Sequence, residues 1–310
     1  MTNPSESTAT REGILVIGAG ELGASLLGAL AQRHNRAADL RTLAVLRRPA
    51  AQATRRSNDL DAEDITIEEA DIAVASVGEL AAIMGRYHTV VSCVGFAAGP
   101  GTQRKLAEAA IEARVPRFLP WQFGADYDDI GRGSPQDLFD EQLDVRDLLR
   151  GQSATDWVIV STGMFTSFLF DRSFGVVDLR TNTVHALGNW DTEVTVTTAD
   201  DIGALTAEII HTQPRIANQV VYLAGDTITY RQLADIVDQL RGTPVTRTEW
   251  SIPHLLDDLE RHPGDSMRKY RAVFAQGKGV AWPKDTTFNA IRGFPTTSAE
   301  QWARAHLPSS

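Results

Sequence analysis

The sequence is short of cysteine: Cys93 is the only one in 310 residues. A single cysteine excludes an internal disulfide and is typical of proteins from a reducing compartment. Because Cys93 lies inside the apolar run TVVSCVG, we expect a buried, unreactive thiol rather than a nucleophile.

Long apolar runs are also missing. No stretch approaches the ~20 apolar residues that a membrane-spanning helix needs, so the sequence predicts no membrane partner. The opening residues MTNPSESTATRE have neither the apolar core of a secretory signal nor an arginine-rich amphipathic pattern. We therefore expect a disordered tail over residues 1–11 and a cytoplasmic location.

Positive charge is scarce as well. Lysine and arginine total 30 against 40 acidic residues, a formal net charge of −10. This balance argues against nucleic acid as a partner, because a phosphate backbone attracts basic surfaces. None of the histidines has a partner at helical ligand spacing, so no metal site is predicted. A small molecule is the expected partner, and the chain could be a monomer or a homodimer.

Apolar, strand-like runs alternate with helical stripes through the first half of the chain. The strand-like runs are GILVI, LRTLAVL, TIEE, TVVSC, RFL and DWVIV. Such alternation predicts βαβ units and an α/β fold of the Rossmann type, with a doubly wound parallel sheet. After about residue 160 aromatic residues and turn signals increase, and a hairpin is predicted around Gly188–Asn189. A smaller, mixed α/β region is expected there.

The first loop carries a dinucleotide-binding pattern. Gly18-Ala-Gly20-Glu21-Leu22-Gly23 follows a strand and opens a helix, which is the context this fingerprint requires. Gly18 would allow the tight turn, Gly20 the approach of a pyrophosphate, and Gly23 the packing of the helix on the sheet. The helix N-terminus would offer free N–H groups to the phosphates.

The end of the second strand indicates the type of dinucleotide. NAD sites usually place an acidic residue there, whereas this strand ends in Arg47 and Arg48. A guanidinium suits a 2′-phosphate, so we predict NADPH or NADP+ as the cofactor, with Arg47 the better candidate. At the ends of later strands, Val94, Gly95 and Phe123 are further candidates for cofactor binding. The predicted organisation is an NADP-binding domain over residues 12–160 and a mainly substrate-binding region over 161–310, part of which returns to the first domain.

The segment Asp137–Arg150 has the pattern of a helix with one polar residue in its apolar stripe. Leu138, Val145 and Leu149 share one face, and Gln142 occupies an apolar position of that stripe. Two interpretations fit this amide. It lies at an exposed edge of the stripe, or the face looks into a ligand site.

In order along the chain, several segments resemble those of NmrA-like and isoflavone-reductase-like proteins, which are atypical short-chain dehydrogenases/reductases. The segments are IGAGELG, AVLRR, TVVSCVG, RFLPWQFGADYD, FDEQLDVRDLLR, VSTGMF, TTADDIGALTAEII and KYRAVFAQG, and the resemblance covers about residues 13–280. It implies a Rossmann domain that binds NADPH and a small C-terminal domain that closes over aromatic substrates. Reductase members transfer hydride from the nicotinamide C4, whereas NmrA-type regulators bind the dinucleotide without chemistry.

The sequence departs from the family pattern at three places. The glycine loop has Ile17 at the first position of the family's GxxGxxG. The family's SEFG is WQFG here, with Trp121 and Gln122, and the catalytic lysine of F-x-x-K is replaced by Gln142. An amide cannot exchange a proton at working pH, although it can donate a hydrogen bond to a carbonyl or an oxyanion.

Gln142 and Tyr127 are the candidate catalytic residues. No tyrosine has lysine four residues later, so Tyr127, with Asp126 beside it to orient or ionise it, is the nearest alternative proton donor. Met164 and Phe165 follow the sixth strand, where a ligand crevice is expected. Together with Trp121 and Phe168 they are the predicted substrate-binding residues, and Phe123 and Trp190 could extend the aromatic wall.

Three functions follow from this pattern. The first is an NADPH-dependent oxidoreductase that acts on a small aromatic or polycyclic secondary metabolite by hydride transfer. The second is a non-catalytic NADP(H)-binding redox sensor of the NmrA type, which the absent lysine favours. The third is a non-redox enzyme, such as a dehydratase or a cyclase, on the same fold.

Overall fold

A computed structural model describes residues 12–34, 42–49 and 65–308. The tail predicted over residues 1–11 lies outside this range. The sequence-predicted fold class is confirmed, because a parallel sheet with helices on both faces is accompanied by two small sheets.

Seven parallel strands form the main sheet in the order β11-β6-β5-β4-β1-β2-β3. From β1 the chain adds β2 and β3 on one side and then crosses to add β4 on the other side. Rossmann folds bind ligands at such a switch in strand order, here between β1 and β4. Both faces of the central strands are buried, as their continuous apolar runs predict. The bounds are β1 Ile14–Ile17, β2 Leu43–Arg47, β3 Ile65–Glu69, β4 Thr89–Ser92, β5 Arg117–Leu119, β6 Asp156–Ser161 and β11 Gln219–Tyr222.

Helices cover the two faces of this sheet. On one face α1 packs against α7, and leucines of α1 meet isoleucines of α7 over the strands. On the other face α2, α3 and α5 pack side by side. The bounds are α1 Glu21–His34, α2 Val77–Met84, α3 Thr102–Glu112, α5 Leu138–Arg150 and α7 Ala199–His211.

The second region has its own apolar core and two three-stranded sheets. One sheet has the order β12-β10-β7, and the other β13-β9-β8. The strands are β7 Met164–Phe165, β8 Val177–Asp178, β9 Thr183–Leu187, β10 Glu193–Thr197, β12 Asp226–Thr229 and β13 Thr246–Trp250. The remaining helices of the described residues are α4 Tyr127–Ile130, which precedes this region, and α6 Thr166–Leu169, α8 Tyr230–Arg241, α9 Ile252–Arg261, α10 Ser266–Phe274, α11 Phe288–Ile291 and α12 Ala299–His306 within it.

The hairpin predicted around Gly188–Asn189 is wrong. The turn is present, with Gly188 at φ +81°, but β9 before it and β10 after it belong to different sheets. β9 pairs in parallel with β13, and β10 pairs with β12 and β7. The turn therefore carries the chain from one small sheet to the other.

Candidate active site

A cavity of about 480 Å³ lies between the carboxyl ends of the parallel strands and the second region. Its wall is mainly aromatic, and Glu21 from the glycine loop lies at one side of it. The lining residues are Glu21, Phe96, Trp121, Phe123, Gly124, Ala125, Tyr127, Phe139, Gly163, Met164, Phe165, Ser167, Phe168, Asp171, Tyr270 and Phe274.

The three glycines of the first loop have three different environments. Gly18 has φ +93°, a conformation that favours glycine. A Cβ on Gly23 would lie 2.0 Å from the carbonyl oxygen of Gly18, so α1 can pack on the loop only without a side chain there. A Cβ on Gly20 would meet no atom within 4 Å. The space above Gly20 at the start of α1 fits the approach of a pyrophosphate.

The two arginines after the glycine loop lie where β2 ends. Arg47 is its last residue and is half-buried, whereas Arg48 is exposed. The Nε of Arg48 lies 3.6 Å from the Asp71 carboxylate, which follows β3. The two guanidinium groups at this strand end suit a ribose that carries a 2′-phosphate, whereas the Asp71 carboxylate would repel that phosphate.

The ends of β4 and β5 approach each other beside the cavity. Gln103 of α3 donates a hydrogen bond of 2.8 Å to the carbonyl of Val94, which fixes the backbone after β4. A Cβ on Gly95 would lie 3.1 Å from the indole of Trp121. Val94 and Gly95 do not line the cavity itself, whereas Phe123 does. Gln103 was missed by sequence reasoning because its contact depends on the packing of α3.

All four residues predicted to bind substrate line the cavity: Trp121, Met164, Phe165 and Phe168. The Trp121 ring centroid is 5.9 Å from that of Phe165, and Phe168 lies 5.4 Å from Tyr270. Phe96, Phe139, Tyr270 and Phe274 complete the wall and were not predicted. They come from separate elements, so no local sequence pattern connects them.

Trp190 does not belong to this wall. It is half-buried, and the Arg247 guanidinium lies 6.0 Å from its ring centroid. The turn that holds Trp190 leads from one small sheet to the other, and Trp190 is not among the residues that line the cavity. The expectation that Trp190 extends the aromatic wall is therefore wrong.

Two tyrosines face the cavity from different elements. Tyr127 begins α4, and Tyr270 belongs to α10. Burial raises the pKa of both hydroxyls above the ordinary value, so both remain protonated at neutral pH. No hydrogen-bond partner of either hydroxyl is found among the described residues. Both are therefore available as donors to a ligand in the cavity.

Asp126 does not orient the Tyr127 hydroxyl, contrary to the sequence expectation. One carboxylate oxygen of Asp126 accepts a hydrogen bond of 2.6 Å from Tyr222, and the other accepts one of 3.2 Å from Arg146. The guanidinium of Arg146 lies 5.3 Å from the ring centroid of Tyr127. Asp126 thus holds the neighbouring structure together, and Tyr127 keeps its proton.

Gln142 is fully buried in α5 and is not one of the residues that line the cavity. The first interpretation of this amide, an exposed edge of the stripe, is therefore wrong. Its Oε1 accepts a hydrogen bond of 2.7 Å from Nε2 of Gln122. Its own Nε2 has no partner among the described residues. Phe139, one turn earlier on the same helix, reaches the cavity wall.

Cys93 is buried, as predicted, and burial raises the pKa of its thiol. In the described ranges no group of three or more His, Cys, Asp or Glu side chains is arranged to hold a metal ion. Within the same ranges we find no helix with the length and hydropathy of a membrane span.

Comparison with known proteins identifies similar chains. The pattern of the NmrA-like family matches residues 10–285. An NmrA-like family domain-containing oxidoreductase of Gibberella moniliformis is 45% identical over 300 residues, which cover 94% of this chain and 97% of that protein.

Two solved structures share the fold. The structure of AtPrR2 with NADP+ and (+)pinoresinol has a TM-score of 0.74 at 20% identity and covers 96% of this chain and 99% of that one. A crystal structure of isoflavone reductase has a TM-score of 0.79 at 18% identity and covers 96% and 100%. The first of these two structures holds NADP+.

Proposed function

Because the chain belongs to the NmrA-like family, as its resemblance predicted, we propose that it is an NADPH-dependent oxidoreductase of a small aromatic or polycyclic metabolite. The similar protein of Gibberella moniliformis is itself named an oxidoreductase. The family also contains non-catalytic regulators, so the proposal needs support from the site.

The proposed function rests on one observation: a single cavity reaches from the glycine loop to an aromatic wall. Glu21 of that loop and Phe274 of α10 line the same space. A cofactor bound at the start of α1 would thus have its reactive end beside a pocket shaped for flat apolar groups. A site for the dinucleotide alone would not need the nine aromatic side chains that line this cavity.

Arg47 and Arg48 support NADPH over NADH as the source of hydride. A guanidinium offers two N–H groups to a 2′-phosphate, whereas NADH has only a hydroxyl at that position. The second strand of this chain ends without an acidic residue that could accept from a 2′-hydroxyl.

When bound, NADPH supplies a hydride, which is two electrons with one proton. This chain then has to hold an electrophilic carbon beside the cofactor and deliver one further proton to the substrate. Tyr127 and Tyr270 are the proposed donors, because both residues line the cavity and both hydroxyls stay protonated. The proton passes from a phenol to the substrate oxygen, and the phenolate regains a proton from water.

Gln142, the other candidate catalytic residue, stays a prediction. Its amide nitrogen lacks a partner among the described residues, but the side chain is fully buried and does not line the cavity. It cannot replace a lysine as an acid, and the tyrosines therefore take the proton-donating role.

A cofactor-labelling experiment tests the proposal. The protein is incubated with NADPH carrying deuterium at both positions of the nicotinamide C4 and with a panel of aromatic enones and benzylic ethers. We expect product that contains one deuterium bound to carbon, and faster turnover with NADPH than with NADH. Unlabelled product formed without oxidation of NADPH would indicate a non-redox reaction. Tight NADPH binding with no turnover of the panel would instead support the regulator.

A further inference from the structure

The charged side chains on the wall of the cavity are all acidic. Among the described residues that line it, Glu21 and Asp171 carry charge, and none is a lysine, an arginine or a histidine. Glu21 belongs to the glycine loop, whereas Asp171 follows α6 in the second region. A ligand in this cavity therefore meets carboxylates from both regions and a negative potential.

No basic side chain of the described residues neutralises either carboxylate. Oδ1 of Asp171 accepts a hydrogen bond of 2.7 Å from the backbone N–H of Ser173 and one of 2.5 Å from its hydroxyl. Asp171 and Glu21 form no ion pair within the described ranges. The neighbouring Arg172 is exposed and does not line the cavity. Oδ2 of Asp171 is therefore left to accept from a ligand.

Two basic residues of α10, a helix that also lines the cavity, are bound elsewhere. Arg271 donates to the backbone carbonyls of Phe174 and Ser173 over 2.7 and 3.0 Å. Lys269 pairs with Asp137 at 2.8 Å. The Arg271 contacts hold the loop after α6 against α10, so this loop has a defined position at the cavity.

An aromatic wall with unpaired carboxylates has the chemistry that binds organic cations. Nine aromatic side chains line the cavity, and the faces of aromatic rings attract cations. An ammonium group also forms charge-assisted hydrogen bonds with a carboxylate. An anionic ligand would instead bring its charge near two carboxylates without any basic partner, which disfavours its binding.

We infer that Asp171 is a specificity-determining residue, which binds a protonated amine carried by the aromatic substrate. Glu21 lies at the glycine loop, where the dinucleotide is expected, so Asp171 is the carboxylate that remains for the substrate. The ammonium group binds at the second region and takes no part in hydride transfer. The inference rests on the proposed function, because it takes this cavity as the substrate site. It names the substrate class as aromatic amines and excludes aromatic carboxylates.

Three matched naphthalene compounds test this preference without turnover. The protein saturated with NADP+ is titrated by calorimetry with naphthylmethylamine, naphthylmethanol and naphthoate at low ionic strength. We expect the amine to bind about tenfold more tightly than the alcohol, and the carboxylate to bind more weakly than the alcohol. Added salt should reduce the advantage of the amine, because Asp171 is exposed. Equal affinities for amine and alcohol, or no binding of the amine, would overturn the inference.

Asp171→Asn tests which group provides the preference. Asparagine keeps an oxygen for Ser173, so the change removes the charge and retains the loop. We expect the Kd for the amine to rise about fivefold and the Kd for the alcohol to change less than about twofold. Asp178→Asn is the matched control, since Asp178 lies near Arg180 and does not line the cavity. A larger loss of amine preference in Glu21→Gln than in Asp171→Asn would contradict the assignment to Asp171.

Turnover separates this inference from the proposed function. Amine-bearing members of the enone panel should have a KM about tenfold lower than their neutral counterparts at similar kcat, because the ammonium contact is the same in the ground and transition states. Turnover with no difference in KM would refute the role of Asp171 and leave the proposed function standing. If no panel member is turned over, the proposed function fails, and the binding series still decides whether the cavity selects cations.

Discussion

The hydroxyl of Tyr222 donates a hydrogen bond of 2.6 Å to the carboxylate of Asp126. Tyr222 ends β11, an edge strand of the main sheet, and Asp126 is the N-cap of α4 beneath the cavity. The bond therefore ties a strand contributed late in the chain to the loop that carries Tyr127. It also occupies the carboxylate that was expected to act on Tyr127.

This arrangement separates the roles of two tyrosines. We expect Tyr127→Phe to lower kcat about 100-fold, because it removes a proton donor from the cavity. Tyr222→Phe is the matched control and should keep kcat within about twofold while it lowers the free energy of unfolding by about 1–2 kcal/mol. Steady-state kinetics and urea unfolding of both variants check this. Equal loss of kcat in the two would contradict a specific role for Tyr127.

The pH dependence of the same step follows from the raised pKa of Tyr127 and Tyr270. A donor whose pKa is raised stays protonated to higher pH than free tyrosine, whose pKa is about 10. In a plot of kcat against pH, the fall in kcat caused by loss of this proton should therefore lie above about pH 10. A kcat profile that falls between pH 7 and pH 9 would show that another group supplies the proton.

Local patterns in the sequence were enough to place the glycine loop and the buried stripe of α5. The burial of Gln142 follows from its place in that stripe, since helical periodicity is a property of neighbouring residues. Arg146 lies on the same helix, yet its burial was not foreseen. Its carboxylate partners come from α4 and the N-cap of that helix, and an arginine in an acidic helix usually belongs to a solvated face.

Pairing between distant segments could not be predicted from the same patterns. The turn at Gly188 was foreseen, but β9 pairs with β13, which lies beyond both α7 and α8 in the sequence. The turn residues predict that the chain reverses, but they do not predict which strand pairs with β9. The cavity wall could not be predicted for the same reason, since Phe96 and Tyr270 line one cavity although they lie far apart in the sequence.

The glycine loop allows a test that separates stability from cofactor binding. Gly20→Ala should change the free energy of unfolding by less than about 0.5 kcal/mol, because its Cβ meets no atom within 4 Å. It should raise the Kd for NADP+ about tenfold, equivalent to about 1.4 kcal/mol, because the methyl group enters the space left for the pyrophosphate.

Gly23→Ala is the contrasting variant of the same loop. Its Cβ would lie 2.0 Å from the Gly18 carbonyl oxygen, so we expect a loss of about 1–3 kcal/mol in stability without any ligand. Thermal unfolding and fluorescence titration with NADP+ distinguish the two. Unchanged NADP+ affinity in Gly20→Ala would argue against the pyrophosphate position.

Arg117 stabilises the end of α7 from inside the protein. Its guanidinium donates to the carbonyls of Ile210, Ile209 and Ile216 at 2.7, 3.1 and 3.0 Å. Burial lowers the pKa of Arg117 to about 10, so the group is still charged at neutral pH. A cation at a helix C-terminus also opposes the negative end of the helix dipole.

Arg117→Met should therefore cost about 3 kcal/mol of unfolding free energy, because the helix-end carbonyls lose charged donors. The control is Arg104→Met, at an exposed arginine that pairs with Glu108 four residues later. This change should cost no more than about 0.5 kcal/mol. Guanidinium-induced unfolding measures both. A loss at Arg117 no larger than that at Arg104 would mean that the buried bonds contribute nothing net.

Asp128 gives the protein a predictable response to acid. A bidentate contact with Arg150, helped by Arg146, lowers the pKa of Asp128 from 3.8 to about 2. A lowered pKa means that the folded state holds the proton less tightly than the unfolded chain. Stability from this group is therefore complete above about pH 4 and is lost as the pH falls toward 2. Because the carboxylate is partly exposed, solvent screening limits the effect to about 1 kcal/mol or less.

Asp128→Asn should remove this part of the acid response. Between pH 4 and pH 2 the native protein should lose more stability than the variant, and the two curves should converge at the acid end. Asp129→Asn is the control on the same short helix, because Asp129 only approaches Lys278 at 4.0 Å. Urea unfolding at a series of pH values measures the slopes. If Asp128→Asn kept the native slope, the carboxylates that sense acid would have to lie elsewhere in the chain.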